Sequence, residues 1–113
     1  MVKDANAFLS DILTSIKLIE EYLINVKSRE EYQNNLAVTD AVARRLSIIG
    51  EALSKATKLN SAINVSHQKK IIALRHIIVH DYDMVDDNTI WAIIKNYLPL
   101  LRTEIEKLLK EKD

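Results

Sequence analysis

The sequence contains no cysteine, which excludes a disulfide framework, a thiolate metal site and a cysteine nucleophile. It has one glycine and one proline, too few turn residues for many hairpins, and that shortage favours helices over sheets. An excess of charge of one sign is also missing. Sixteen basic residues balance sixteen acidic ones, so the net charge lacks the footprint of a strong non-specific nucleic-acid binder, while a local basic patch stays open. No apolar run is long enough to span a membrane, and the opening MVKDANAFLSDIL carries no signal-peptide core. No membrane association and a cytoplasmic location are therefore expected.

What is present reads as one globular domain, residues 1–113, with 48% apolar and 28% charged residues. A domain of this size buries a smaller share of its surface than a larger one, so association with a second chain helps it. Phe8, Leu9, Ile12, Leu13, Ile16, Ile19, Tyr22 and Leu23 recur at three- and four-residue intervals and predict an amphipathic first helix. Ser28 is placed to cap a short segment, with Glu31 in the capping-box position. Val38, Val42, Leu46, Ile49 and Leu53 then mark a longer helix to about Ala56. Gly50 interrupts that pattern, and close packing of a neighbouring helix accounts for it best, since a mid-helix glycine costs about 1 kcal/mol against alanine.

KLNSAINVS is the most loop-like stretch, and Ser66 is a candidate cap for a helix from about His67 to His80. After DMVDDN, Asn88 is a candidate cap for a final helix carrying Ile90, Trp91, Ile94, Leu98, Leu101, Ile105 and Leu108. Pro99 falls inside that stripe and predicts a kink. The expected architecture is all-α, an up-and-down bundle of four to five helices.

The stretch RHIIVHDY, residues 75–82, holds two of the three histidines. At about 100° per residue, Lys69, His76 and His80 form one polar stripe, while Ile71, Ile72, Leu74, Ile77, Ile78 and Val79 spread around most of the remaining circumference. A helix apolar on so many sides is covered on several sides. One small bundle covers a single broad face of it, so a homodimer packed through this helix is expected. Arg75 lies away from the histidine stripe. Bringing Arg75 and His80 together requires the reach of the arginine, an altered last turn, or a symmetry-related chain.

Plainer roles exist for each of these residues. Arg75 is a candidate ion-pair partner of Glu51. His76 and His80, four apart, are a two-ligand metal pattern with no clear third ligand. Tyr82 suits a rim position, hydrogen-bonded to a carboxylate.

LRHIIVHDYDMVDDNTIWAIIKNYLPLL, with AVTDAVARRLSIIGEAL upstream, resembles the HepT family of the HEPN superfamily, helical toxins paired with minimal nucleotidyltransferase (MntA) antitoxins. The similarity covers nearly the whole chain. Its signature, R-x-x-x-x-H-x-Y, is met by Arg75, His80 and Tyr82, and the flanking IGEA and W...LP.L stand in the same order. Position 76 departs from the pattern, since the family often carries Asn or Asp there and this chain has His76.

The resemblance implies a dimeric endoribonuclease needing no metal or other cofactor, with Arg75 and His80 of both chains facing a shared cleft. The chemistry suits the residue types. Cleavage of RNA by its own 2′-OH needs a proton removed from that hydroxyl, one delivered to the leaving 5′-oxygen, and charge stabilised on the phosphoryl oxygens. Histidine is the natural acid or base near neutral pH, and arginine holds two phosphate oxygens at once. His76 is assigned an auxiliary place, orienting phosphate or influencing His80. Tyr82 is implied as the residue to which the nucleotidyltransferase partner adds AMP. The rival classes are a non-catalytic helical module that binds and positions that nucleotidyltransferase, and a metal-binding protein.

Overall fold

The computed structural model describes residues 4–80 and 86–110. Six helices follow one another, with no strand among the described residues: α1 (Ala5–Tyr22), α2 (Arg29–Gln33), α3 (Leu36–Leu59), α4 (Gln68–His80), α5 (Asp87–Asn96) and α6 (Leu98–Lys110). The all-α class is the one the composition predicts, and the count rises to six for two local reasons. First, the short capped segment is itself a helix. Ser28 Oγ accepts the Glu31 N–H at 3.2 Å, while the Glu31 carboxylate accepts the Lys27 N–H at 2.7 Å, so donors at this helix start are satisfied from both sides. Second, the expected kink is a junction, at Tyr97, between α5 and α6. Pro99 then falls in the first turn of α6, where its missing N–H leaves no helical bond unmade.

Two helix starts differ from expectation. Asp86, not Asn88, caps α5, its carboxylate accepting the Asn88 N–H at 2.9 Å. Asn88 instead accepts a bond from the Gln33 side-chain amide at 2.9 Å and ties α5 to α2. Helix α4 begins at Gln68, directly after His67, which adopts a left-handed backbone with φ of 59°. Here the Gln68 side chain accepts the Val65 N–H at 3.1 Å and Glu104 of α6 accepts the Ser66 N–H at 3.2 Å, in place of the expected Ser66 hydroxyl cap.

The apolar stripes meet as their spacing predicts. Leu9, Ile12, Ile16 and Ile19 of α1 are buried with Val42, Leu46, Ile49 and Leu53 of α3, and α6 adds Leu101 and Ile105. Burying each such side chain contributes about 1.5–3 kcal/mol. Tyr32 brings α2 into this core, its ring 5.4 Å from that of Trp91 on α5. Ile63 and Val65 pin the connection into α4 by burying their own side chains. Helix α4 packs chiefly on α3 and buries only Ile71 and Leu74. Among the described residues, no helix is long and apolar enough to cross a membrane.

Candidate active site

Gly50 decides how α4 meets α3. A Cβ at this position would stand 2.8 Å from the Ile71 carbonyl oxygen and 3.1 Å from both the Arg75 nitrogen and the Ile72 oxygen. All three are backbone atoms that cannot rotate aside, so only glycine permits this approach. The packing reason expected for Gly50 is the one observed, and it sets the next residue of α3, Glu51, beside Arg75.

Arg75 Nε lies 3.6 Å from Glu51 Oε2, and Lys55 Nζ lies 3.4 Å from Glu51 Oε1. One carboxylate is therefore shared between two cations. The side chains are close to half exposed, and pairs in that setting contribute about 0–1 kcal/mol. The arrangement does little for stability. Its consequence is to hold a guanidinium at the edge of α4, facing α3 and open to solvent.

His76 and His80 sit one turn apart on α4, both exposed, with ring centroids 4.9 Å apart and planes at 44°. Arg75 and His76 line a common hollow, whose other wall is Glu51, Ser54, Lys55 and Lys58 of α3. Arg75 thus shares a surface with His76, and His76 touches His80. The sequence left open how Arg75 and His80 meet within one helix, and here His76 stands between them. Tyr82 lies outside the described residues.

The hollow brings in residues that sequence reasoning missed. Ser54, Lys55 and Lys58 follow Glu51 at spacings of three, four and seven, which is one helix face. That signal was present in EALSKATK, but only the Gly50 contact reveals that this face adjoins Arg75. Among the described residues, no group of three or more metal-ligating side chains converges.

The face of α4 turned away from Ile71 and Leu74 carries the exposed Lys69, His76 and His80, with Ile77 and Val79 on either side of them. Ile77 is 40% exposed and Val79 47% exposed, while Ile72 and Ile78 pack partly buried against the core, so two of the apolar positions of this helix are left uncovered by the bundle. Arginine and two histidines along one exposed helix edge can bind an anion and move protons near neutral pH.

Residues 12–108 match the family model described as "Ribonuclease HepT-like". The relatives include a Methanocaldococcus jannaschii protein named "Gamma-glutamylcyclotransferase and putative RNase", 35% identical over all of this chain, which spans about half (51%) of that relative's length. Another protein of that organism, named "Putative RNase", is 34% identical over 96% of this chain and 90% of its own. "Probable ribonuclease HepT" of Thermococcus cleftensis is 29% identical over 97% of this chain and 100% of its own. No solved structure gives a significant match.

Proposed function

The chain belongs to the ribonuclease HepT-like family of the HEPN superfamily, and from that premise we propose that it is the ribonuclease toxin of a toxin–antitoxin pair, cleaving RNA without a metal. The observation that carries this reading is the row Arg75, His76, His80 along one exposed edge of α4, bordered by the apolar side chains of Ile77 and Val79.

In the reaction, His80 takes the proton of the substrate 2′-OH, and the freed oxygen attacks the adjacent phosphorus. The 5′-oxygen leaves with a proton, giving a 2′,3′-cyclic phosphate and a 5′-OH end. Arg75 neutralises the charge that builds on the phosphoryl oxygens, the kind of contact that strengthens in the transition state. One catalytic His80 per chain does not readily serve both proton transfers. A homodimer packed through α4 supplies two, and Ile77 and Val79 are the apolar contacts that support such packing.

Neutralisation is assigned to an MntA-like nucleotidyltransferase that adds AMP to Tyr82. The adduct carries a phosphate into the neighbourhood of Arg75 and His80, where it occupies the anion site and repels the RNA backbone.

The test is cleavage of a single-stranded RNA by purified protein in excess chelator. Activity is expected to persist, and Arg75→Ala and His80→Ala are each expected to reduce it by about 10²–10³ with the fold retained. Near-wild-type activity in either variant overturns the assignment of that residue. A folded wild-type dimer with no cleavage supports the binding-module alternative. Co-expression with the partner, read by intact mass and peptide spectrometry, tests Tyr82: a Tyr82→Phe chain that still gains AMP places the modification elsewhere.

A further inference from the structure

Across the hollow from Arg75 and His76, α3 presents Glu51, Ser54, Lys55 and Lys58 at the spacing that buries a helix face when its residues are apolar. The opposite side of the same stretch, Ala52, Leu53 and Ala56, is buried in the core. Three fixed cations, Lys55, Lys58 and Arg75, thus line one hollow with a single carboxylate, Glu51. That carboxylate is already divided between Arg75 and Lys55, at 3.6 Å and 3.4 Å. Among the described residues, no carboxylate pairs with Lys58. The chain as a whole has sixteen charges of each sign, so this excess is local and does not follow from general basicity.

We propose that the hollow is a second phosphate subsite for the RNA, taking the phosphate next to the scissile one, with Lys58 and Lys55 as its cations and the Ser54 hydroxyl as a donor. This rests on the ribonuclease reading above and extends it to how the substrate is held. Arg75 and His76 belong both to the reacting row and to the hollow, so a strand laid on the row passes directly onto the α3 lysines. The ligand is single-stranded RNA because the sugar–phosphate chain must bend from the exposed edge of α4 across the hollow onto α3, which a duplex backbone resists.

Loss of one lysine–phosphate contact to a single strand removes about 0.7 from the slope of log affinity against log salt, which at 0.1 M salt is roughly fivefold in affinity. Lys58→Gln is compared with wild type on an RNA oligomer and on a dinucleoside monophosphate, which has no flanking phosphate. The expected result is a KM for the oligomer raised roughly fivefold, a smaller effect on the dinucleoside, and a salt dependence shallower by about 0.7. Lys58→Arg should restore all three. Equal losses on the two substrates, or an unchanged salt slope, overturn the subsite while leaving the ribonuclease reading intact. Should the wild type cleave neither substrate, the ribonuclease reading falls, and fluorescence anisotropy of the oligomer still reads the hollow. A slope lost in Lys58→Gln then supports a phosphate site, and an unchanged slope removes that as well.

Discussion

His76 is the residue whose standing changes most once its surroundings are known. Sequence spacing placed it on the stripe of His80 and away from Arg75, yet it lines the hollow with Arg75 and meets His80 ring to ring at 4.9 Å. In the ribonuclease reading proposed above, a side chain between the phosphate-holding Arg75 and the acid or base His80 has the place of a group that orients the substrate phosphate without moving a proton itself. Asparagine keeps a short hydrogen-bonding group at that point. His76→Asn is therefore expected to lower kcat/KM on RNA by less than about tenfold, against about 10²–10³ for His80→Ala. If the two variants are equally damaged on the same substrate, His76 has a direct share in proton transfer. The arginine and both histidines were legible in the sequence because they are close in the chain. Lys58 was not, because a lysine at an exposed helix position looks the same whether or not another helix stands opposite.

At the scale of elements, the contact between α3 and α4 depends on Gly50. Alanine there gains about 1 kcal/mol of helix propensity, but its Cβ would meet the Ile71 carbonyl at 2.8 Å. Overpacking against backbone costs about 1–3 kcal/mol, so the clash outweighs the gain. Gly50→Ala is expected to lower the denaturation midpoint and to reduce cleavage, as α4 moves off α3 and Arg75 parts from Glu51. Unchanged stability and activity together would show that the helices separate without consequence. The α2–α5 contact has a different signature. Burial, with the Asp87 carboxylate adding to it, pushes the Tyr32 phenol well above its ordinary value of 10.0. In the unfolded chain the phenol ionises near pH 10, while in the folded chain it keeps its proton. Stability from this group is thus intact below that pH and declines above it. Tyr32→Phe should flatten the fall in stability between about pH 10 and 12, measured by urea unfolding. Helix existence was legible from apolar spacing in every long element. The caps were less so: VDDN offers Asp86, Asp87 and Asn88 in succession, each of a type that caps helices. Likewise, a proline inside an apolar stripe reads equally as a kink or as the first turn of a new helix.

For the whole molecule, the apolar composition of α4 and its partial cover in the monomer concern the same surface. Ile77 and Val79 remain 40% and 47% exposed, and a two-fold contact through α4 would bury both pairs at once and bring the two Arg75–His80 rows side by side. If each reaction draws one proton transfer from the His80 of each chain, an inactive subunit silences its partner. Wild type and His80→Ala mixed in equal amounts, unfolded together and refolded, then assort at random. About a quarter of the dimers carry two wild-type chains, so activity per total protein should fall to about a quarter of that of wild type alone. Subunits that work independently would give about a half. Light scattering at micromolar concentration accompanies the assay, with Val79→Asp as the control for assembly. Because Val79 is already half exposed, the aspartate should leave the monomer folded while breaking the contact, and cleavage should disappear with the dimer. A folded Val79→Asp monomer that still cleaves RNA at the wild-type rate would show that each chain holds a complete site.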